Sequence, residues 1–143
     1  MAFVTSLSKE QLTSYVVNQI SLFFPDGGNN DVEHCIREVM PSTLNWVQSC
    51  FSRVKSRYYK KEGQCFFNHL NGDHYSMFLY MLSNNVYRAT KNEATASKIF
   101  LLNKLMFGID AFYRIQLPEI FLFIHPIGTI LVNASYSNYF VTF

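Results

Sequence analysis

The sequence predicts a mainly α protein: an N-terminal helical bundle followed by short β segments at the C-terminal end. Three observations predict it. Through residues 1–108 apolar side chains recur three and four apart, the period of helices buried along one face. Breaking and capping residues punctuate those runs at Pro25-Asp26-Gly27-Gly28, Gly63, Asn71-Gly72 and Gly108. From Asp110 onward the pattern changes to apolar triplets, Phe121-Leu122-Phe123, Ile130-Leu131-Val132 and Phe140-Val141-Thr142, broken by small or polar residues. Such triplets are too short for ordinary core strands, and their recurrence suggests rungs of a repeating β structure.

The first helix is expected within Thr5–Phe24. It opens on a capping box, Ser8 to Gln11, and places Leu12, Tyr15, Val16, Gln19, Ile20 and Phe23 on one face. Asp31 can cap a short second helix with Val32, Cys35, Ile36 and Val39 inward. Pro41 suits the first turn of a third, whose stripe is Leu44, Val47, Phe51 and Val54. Trp46 lies off that stripe, placed for packing against a neighbouring helix or subunit. A loop around Lys60–Gly63 ends the third helix. A fourth helical region runs from about Gln64 to Arg88 with a break at Asn71-Gly72, after which Asp73 is a good cap. Its apolar residues go all round, which suggests burial on more than one side. After Lys91-Asn92-Glu93 the last helix, Ala94 to Phe107, presents Ile99, Leu102, Leu105 and Met106 before Gly108 caps it.

Composition narrows the function classes. The 143 residues suit one domain of ordinary size, and 49% apolar with 15% charged residues argue against disorder. The 17% aromatic content fits a dense core or a surface buried on assembly. A net charge of +2 is too small to imply nucleic acid. The basic run Arg53 to Lys61 interleaves cations with tyrosines, and reads as a solvated helix end in preference to an RNA- or membrane-binding patch. Cys35, Cys50 and Cys65 form no CxxC pair and read as buried thiols of a reducing compartment, not as a disulfide frame or a metal site. No signal peptide and no membrane-spanning run is visible, so a cytoplasmic chain without membrane contact is expected. His34, His69 and His74 read as polar or core-edge residues, since no Cys or carboxylate cluster accompanies them.

Written in sixes, LVNASY (131–136) and SNYFVT (137–142) place Ser135 and Val141 at one phase, where a hexapeptide β-helix takes small or β-branched residues inward. Ser137, where an aliphatic residue is expected, makes the second repeat imperfect. Asp110 precedes His125 by fifteen residues, and His125-Pro126-Ile127-Gly128 forms an H-x-x-G turn. Phe107-Gly108-Ile109-Asp110 closes the preceding apolar helix. In these residues the chain resembles the serine acetyltransferases and related hexapeptide acyltransferases, at the entry to their left-handed β-helix. The resemblance covers the C-terminal third; residues before it match only as a generally helical region.

That resemblance implies two domains: a helical part, residues 1–108, and the first rungs of a left-handed parallel β-helix, residues 109–143. It implies transfer of an acetyl group from acetyl-CoA to a hydroxyl of serine or a related small acceptor, within cysteine biosynthesis. His125 is the expected catalytic base and Asp110 its orienting partner. The chemistry needs those types: a neutral imidazole takes the hydroxyl proton near neutral pH, and a carboxylate fixes its tautomer and steadies the imidazolium. The family also implies a trimer-based homo-oligomer, and its helical part contributes an acidic residue to the acceptor pocket.

Two departures modify the expectation. Ile124 stands where the family has an Asp that helps bind the amino acid, so serine as acceptor is in doubt and a sugar or other alcohol is open. The sequence ends at Phe143, where the family continues through further coils that hold much of the CoA groove. Catalysis impaired by truncation is therefore expected, without the complex that serine acetyltransferases form with the next enzyme. Two other readings stand beside the enzyme: a non-catalytic helical assembly module, and a helical domain whose aromatic C-terminal rungs bind a partner strand.

Overall fold

A computed structural model describes residues 2–143 and is mainly α. A short strand β1 (Phe3–Thr5) leads into helix α1 (Lys9–Phe23), and a long helix α2 (Asn29–Ser52) follows. After a 3-10 turn (Arg57–Tyr59), strands β2 (Lys60–Lys61) and β3 (Gln64–Phe67) lead to helices α3 (Gly72–Thr90) and α4 (Glu93–Phe107). The chain then crosses the bundle in extended form and ends in strands β4 (Phe121–Phe123) and β5 (Phe140–Thr142).

Local chemistry explains most of the boundaries. The capping box at the start of α1 is reciprocal: Ser8 Oγ accepts from Gln11 N–H, and Gln11 Oε1 from Ser8 N–H. At the far end of the bundle Gly108 adopts φ +62° and donates its N–H to Lys104 C=O, closing α4 as expected. Asn92 caps the start of α4 through Thr95 N–H. Of the stripe expected on α4, Ile99 and Leu102 are buried, whereas Leu105 and Met106 are exposed.

Two expectations fail in the middle of the chain. The second and third helices are one, α2, which runs through Pro41. Pro41 lies on the exposed face, where the carbonyl that loses its amide partner can face water. The hydroxyls of Ser42 and Thr43 both donate to Val39 C=O within the same turn. Residues Gln64–Phe67 are a strand and not the start of a helix. Aromatic Phe66 and Phe67 favour a pleated surface, and β3 pairs in parallel with β1 (Phe3 opposite Cys65) and antiparallel with β2. That pairing spans more than sixty residues, so no local pattern announces it.

Helix α3 is the axis of the molecule. Every residue from His74 to Asn84 is buried, so its all-round apolar character has the expected cause. It packs between α2 and α4, and the extended segment lies over it. Ile109, Ala111, Tyr113, Ile115 and Leu117 are buried in strict alternation with more exposed neighbours, the period of a strand with one face on a core. No neighbouring strand pairs with residues 111–119 among the described residues. Their backbone bonds go to helix side chains instead: Tyr80 Oη donates to Ile115 C=O and accepts from Leu117 N–H at 3.0 Å. Asn84 Nδ2 donates to Tyr113 C=O (2.8 Å), while Trp46 Nε1 (2.8 Å) and Cys50 Sγ (3.1 Å) both donate to Glu119 C=O.

The C-terminal segment forms no β-helix or solenoid. Strands β4 and β5 pair in parallel, Phe121 with Phe140, and a single parallel bridge joins Asp110 to Ile130. Ser135 and Val141, expected inward, are both exposed, because the segment has the helical bundle on one side and no stacked coil on the other. Cys35, Cys50 and Cys65 are free and buried. Among the described residues no helix is long and apolar enough to cross a membrane.

Two outcomes follow from this packing. Tyr80→Phe removes the donor for Ile115 C=O and the acceptor for Leu117 N–H in a buried site, and should cost about 1–3 kcal/mol in urea unfolding at little loss of helical circular dichroism. His74 is buried among Phe51, Tyr59 and Phe67, its Nδ1 accepting from Asn68 N–H at 3.1 Å, and burial lowers its pKa from 6.5 to about 4. Because the folded state resists the proton that the unfolded state accepts, stability is full above pH 6.5 and falls as the pH drops toward 4. The loss should reach about 3 kcal/mol, with a flatter profile in His74→Phe, measured by urea midpoints across that range.

Candidate functional site

His125 follows directly on β4. Ile124 N–H donates to Thr142 C=O at 3.0 Å, so the last bond of the β4–β5 ladder lies one residue before it. At His125 the backbone turns to φ +48°, in the left-handed region that L side chains avoid. The residue after it is a buried proline, which restricts its predecessor to extended conformations, so the position is disfavoured twice. Beyond it, Thr129 N–H donates to Pro126 C=O, and Gly128, at φ +82°, donates to Gly108 C=O (2.9 Å each).

What holds His125 in place comes from the other half of the chain. Its N–H donates to Asp73 Oδ1 at 3.0 Å. Asp73 was expected to cap α3, but Asn71 does so: Asn71 Oδ1 accepts from the N–H groups of Asp73 and His74 at 3.1 and 3.3 Å. Asp73 sits in the first turn, where a carboxylate is favoured by the helix dipole, and its carboxylate is free to face the turn after β4. Next to it Gly72 packs against Phe107, which a Cβ there would approach to 3.2 Å, so the start of α3 is held close to the end of α4.

Between these elements lies a cleft of about 600 Å³. His125, Ile124 and Leu122 form one wall, and Val54, Tyr58 and Tyr59 the other. Asp73 lines it as well. Burial, and secondly the Asp73 carboxylate, push the Tyr59 phenol well above its ordinary pKa, so it stays a protonated donor. The size is that of a small-molecule site, and its lining of apolar and aromatic side chains with a few polar groups is of the usual kind.

Asp110 is placed differently from expectation. Its backbone is pinned on both sides of the bridge to Ile130, donating to Thr129 C=O and accepting from Leu131 N–H (2.9 Å each). Its carboxylate pairs through Oδ2 with Lys104 at 2.8 Å. Among the described residues no hydrogen bond joins Asp110 to His125, and the imidazole makes none. So the structure brings His125 together with Asp73, 52 residues away, and leaves Asp110 with α4. Sequence spacing could not reveal the first pairing. No signal short of the tertiary fold points to Tyr58 and Tyr59 either.

The remaining histidines have structural partners or none. His69 Nδ1 lies 2.7 Å from Ser6 Oγ and its ring meets Tyr15 edge-on, while His34 is exposed on α2. Among the described residues no group of three or more His, Cys, Asp or Glu is arranged to hold a metal ion. Comparisons of the chain with protein-family models, with curated proteins and with solved structures return no match.

The backbone at His125 gives a direct test of why a histidine stands there. Glycine takes positive φ freely, so if only the turn mattered His125→Gly would be the better residue. We expect His125→Gly to raise stability by about 1 kcal/mol, read as a higher thermal midpoint. An unchanged or lower midpoint would show that the imidazole itself contributes to the fold.

Proposed function

We propose that the chain is an O-acetyltransferase of the kind its sequence resembles, with His125 as the base that activates an acceptor hydroxyl. The observation that carries this reading is the setting of His125: a backbone conformation unfavourable for its residue type, fixed by Asp73, on the wall of a cleft sized for a small molecule. Strain of this sort persists where the surroundings over-determine it, and is enriched at active sites.

In this reading the imidazole takes the acceptor's proton as its oxygen attacks the thioester carbonyl of acetyl-CoA. The C–S bond breaks, and the CoA sulfur leaves and takes up the proton. Asp110 is the proposed orienting partner. Lys104 occupies Oδ2 and leaves Oδ1 for the imidazole, so the dyad requires the His125 side chain to turn toward the Asp110–Ile130 bridge. Asp73 belongs to the proposed acceptor pocket because its carboxylate lines the same cleft as His125.

The C-terminal segment supports the same reading. Parallel strands usually need a helical crossover, yet residues 124–139, which join β4 to β5, contain no helix. The chain coils back on itself in turns and bends, with pairings 19 and 20 residues apart, Phe121 to Phe140 and Asp110 to Ile130. Two parallel pairings at nearly one spacing are what the segment shares with a coil of the family's β-helix, without forming one. Ile127, Ile130, Val132, Tyr139 and Phe143 leave a broad apolar surface on the coil, which supports self-association, in trimers by resemblance. The same surface favours the second reading, an assembly module without catalysis.

Acceptor-dependent release of CoA thiol, followed with a thiol reagent across serine and a panel of sugars and simple alcohols, decides between them. We expect release that His125→Ala slows by about a hundredfold or more and Asp110→Asn by less, with acetyl-CoA binding by calorimetry unchanged in both. Thiol release equal in wild type and His125→Ala would remove the enzyme reading and leave the assembly module.

A further inference from the structure

We propose that the cleft beside His125 continues into a second, apolar subsite built for a molecule that joins an apolar body to an anionic group. Resting on the acyl-transfer reading, that molecule is the hydroxyl acceptor. A separate cavity of about 300 Å³ lies alongside β4 and shares two lining residues, Val54 and Leu122, with the His125 cleft. The two adjoin at that pair, and we take them as lobes of one groove. Ile120, Phe121, Phe140 and Val141 give the second lobe an apolar floor.

Its charged residues are Arg53 and Lys55, and no acidic side chain lines it. A cation at the end of α2 is favoured by the helix dipole, which accounts for Arg53 being tolerated there. It does not account for both cations standing on the rim of an apolar lobe. Among the described residues neither makes an ion pair or a side-chain hydrogen bond, so both are free to meet an anion. Cys50 also lines the lobe, but burial pushes its thiol up to about 12, so it stays neutral, with its S–H donated to Glu119 C=O.

The two lobes suit opposite ends of one molecule. An anionic group at Arg53 and Lys55 and an apolar body over Phe121 and Phe140 would bring the far end past Val54 and Leu122 to His125. Ile124 fits this assignment. It lines the His125 lobe at the position where the resemblance led one to expect a carboxylate for an amino acid, and it offers an apolar body more apolar wall. Tyr139 adds a further sign that the lobe is shaped. It lines the cavity at φ +65°, with its N–H on Ile120 C=O at 2.8 Å. The acceptor class is therefore an anionic, partly apolar alcohol, and not a small polar amino acid.

The test reads binding alone, without acetyl-CoA. Trp46 is the only tryptophan, and its ring lies 5.9 Å from that of Phe121, so its fluorescence reports filling of the lobe. Hexyl phosphate is the probe, with hexan-1-ol and hexyltrimethylammonium as controls. We expect a saturable emission change with hexyl phosphate and binding at least about tenfold weaker for both controls. Arg53→Gln/Lys55→Gln, at two exposed positions, should weaken hexyl phosphate about tenfold while leaving circular dichroism unchanged. No saturable response, equal response to all three probes, or an unaffected double variant would overturn the proposal. So would a response that disappears as protein concentration rises, which would assign the lobe to a second copy of the chain. Failure here leaves the thiol-release result standing, and failure of acyl transfer leaves this binding result standing.

Discussion

The structure depends on how residues 111–119 satisfy their backbone without a sheet. An extended segment that buries alternate side chains points its N–H and C=O groups sideways, and where no neighbouring strand meets them the buried ones need other partners. Helices α2 and α3 supply those partners from side chains. Tyr80 serves both Ile115 and Leu117, Asn84 holds Tyr113, and Trp46 with Cys50 share the carbonyl of Glu119. These are among the few polar groups on helix faces otherwise filled with Phe, Leu and Met. Their positions fix the segment's register on the bundle, because a slip of one residue would turn every buried side chain outward.

From that register the rest of the C-terminal half is determined. The clamp at Glu119 ends two residues before β4, so it sets where Phe121 and Phe123 enter the core and where His125 emerges. Trp46 packs edge-on against both Tyr80 and Phe121, tying the clamp to the strand it positions. The other wall of the groove comes from the chain after α2 and from the first turn of α3. The groove is therefore a seam between an early and a late part of the sequence, joined by the Asp73 to His125 bond.

The legible features in the sequence are those with local causes. Ser8 and Gln11 satisfy one another within a single turn, and Gly108 takes the positive φ that ends a helix, so both boundaries could be read from a few residues. Pro41 misled for the opposite reason. Its local preference is for a first turn, but the buried stripe from Val32 to Phe51 is continuous across it and outweighs one lost bond. Gln64–Phe67 carries too few residues to declare a period, and its strand character comes from Phe3–Thr5 at the other end of the chain. At the site, His125 stood out through its spacing from Asp110 and its turn. Asp73 looked like a cap because a carboxylate three residues into a polar break usually is one. Nothing in one dimension distinguishes a carboxylate that caps its own helix from one that reaches a distant turn.

The backbone at His125 separates it from Lys91 and Glu62, two other non-glycine residues at positive φ, while Tyr139, just before β5, likewise closes neither a helix nor a hairpin. Lys91 follows the last turn of α3 and Glu62 sits in the turn between β2 and β3, places where positive φ closes a helix or a hairpin and side-chain identity matters little. His125 has neither excuse. It lies between the end of β4 and a buried proline, where glycine or asparagine would be easier and where Pro126 adds its own restriction. The conformation is held by contacts from two directions, the ladder bond of Ile124 and the carboxylate of Asp73. Both bonds are made by backbone amides, so they fix the turn and leave the direction of the imidazole to its own rotamers.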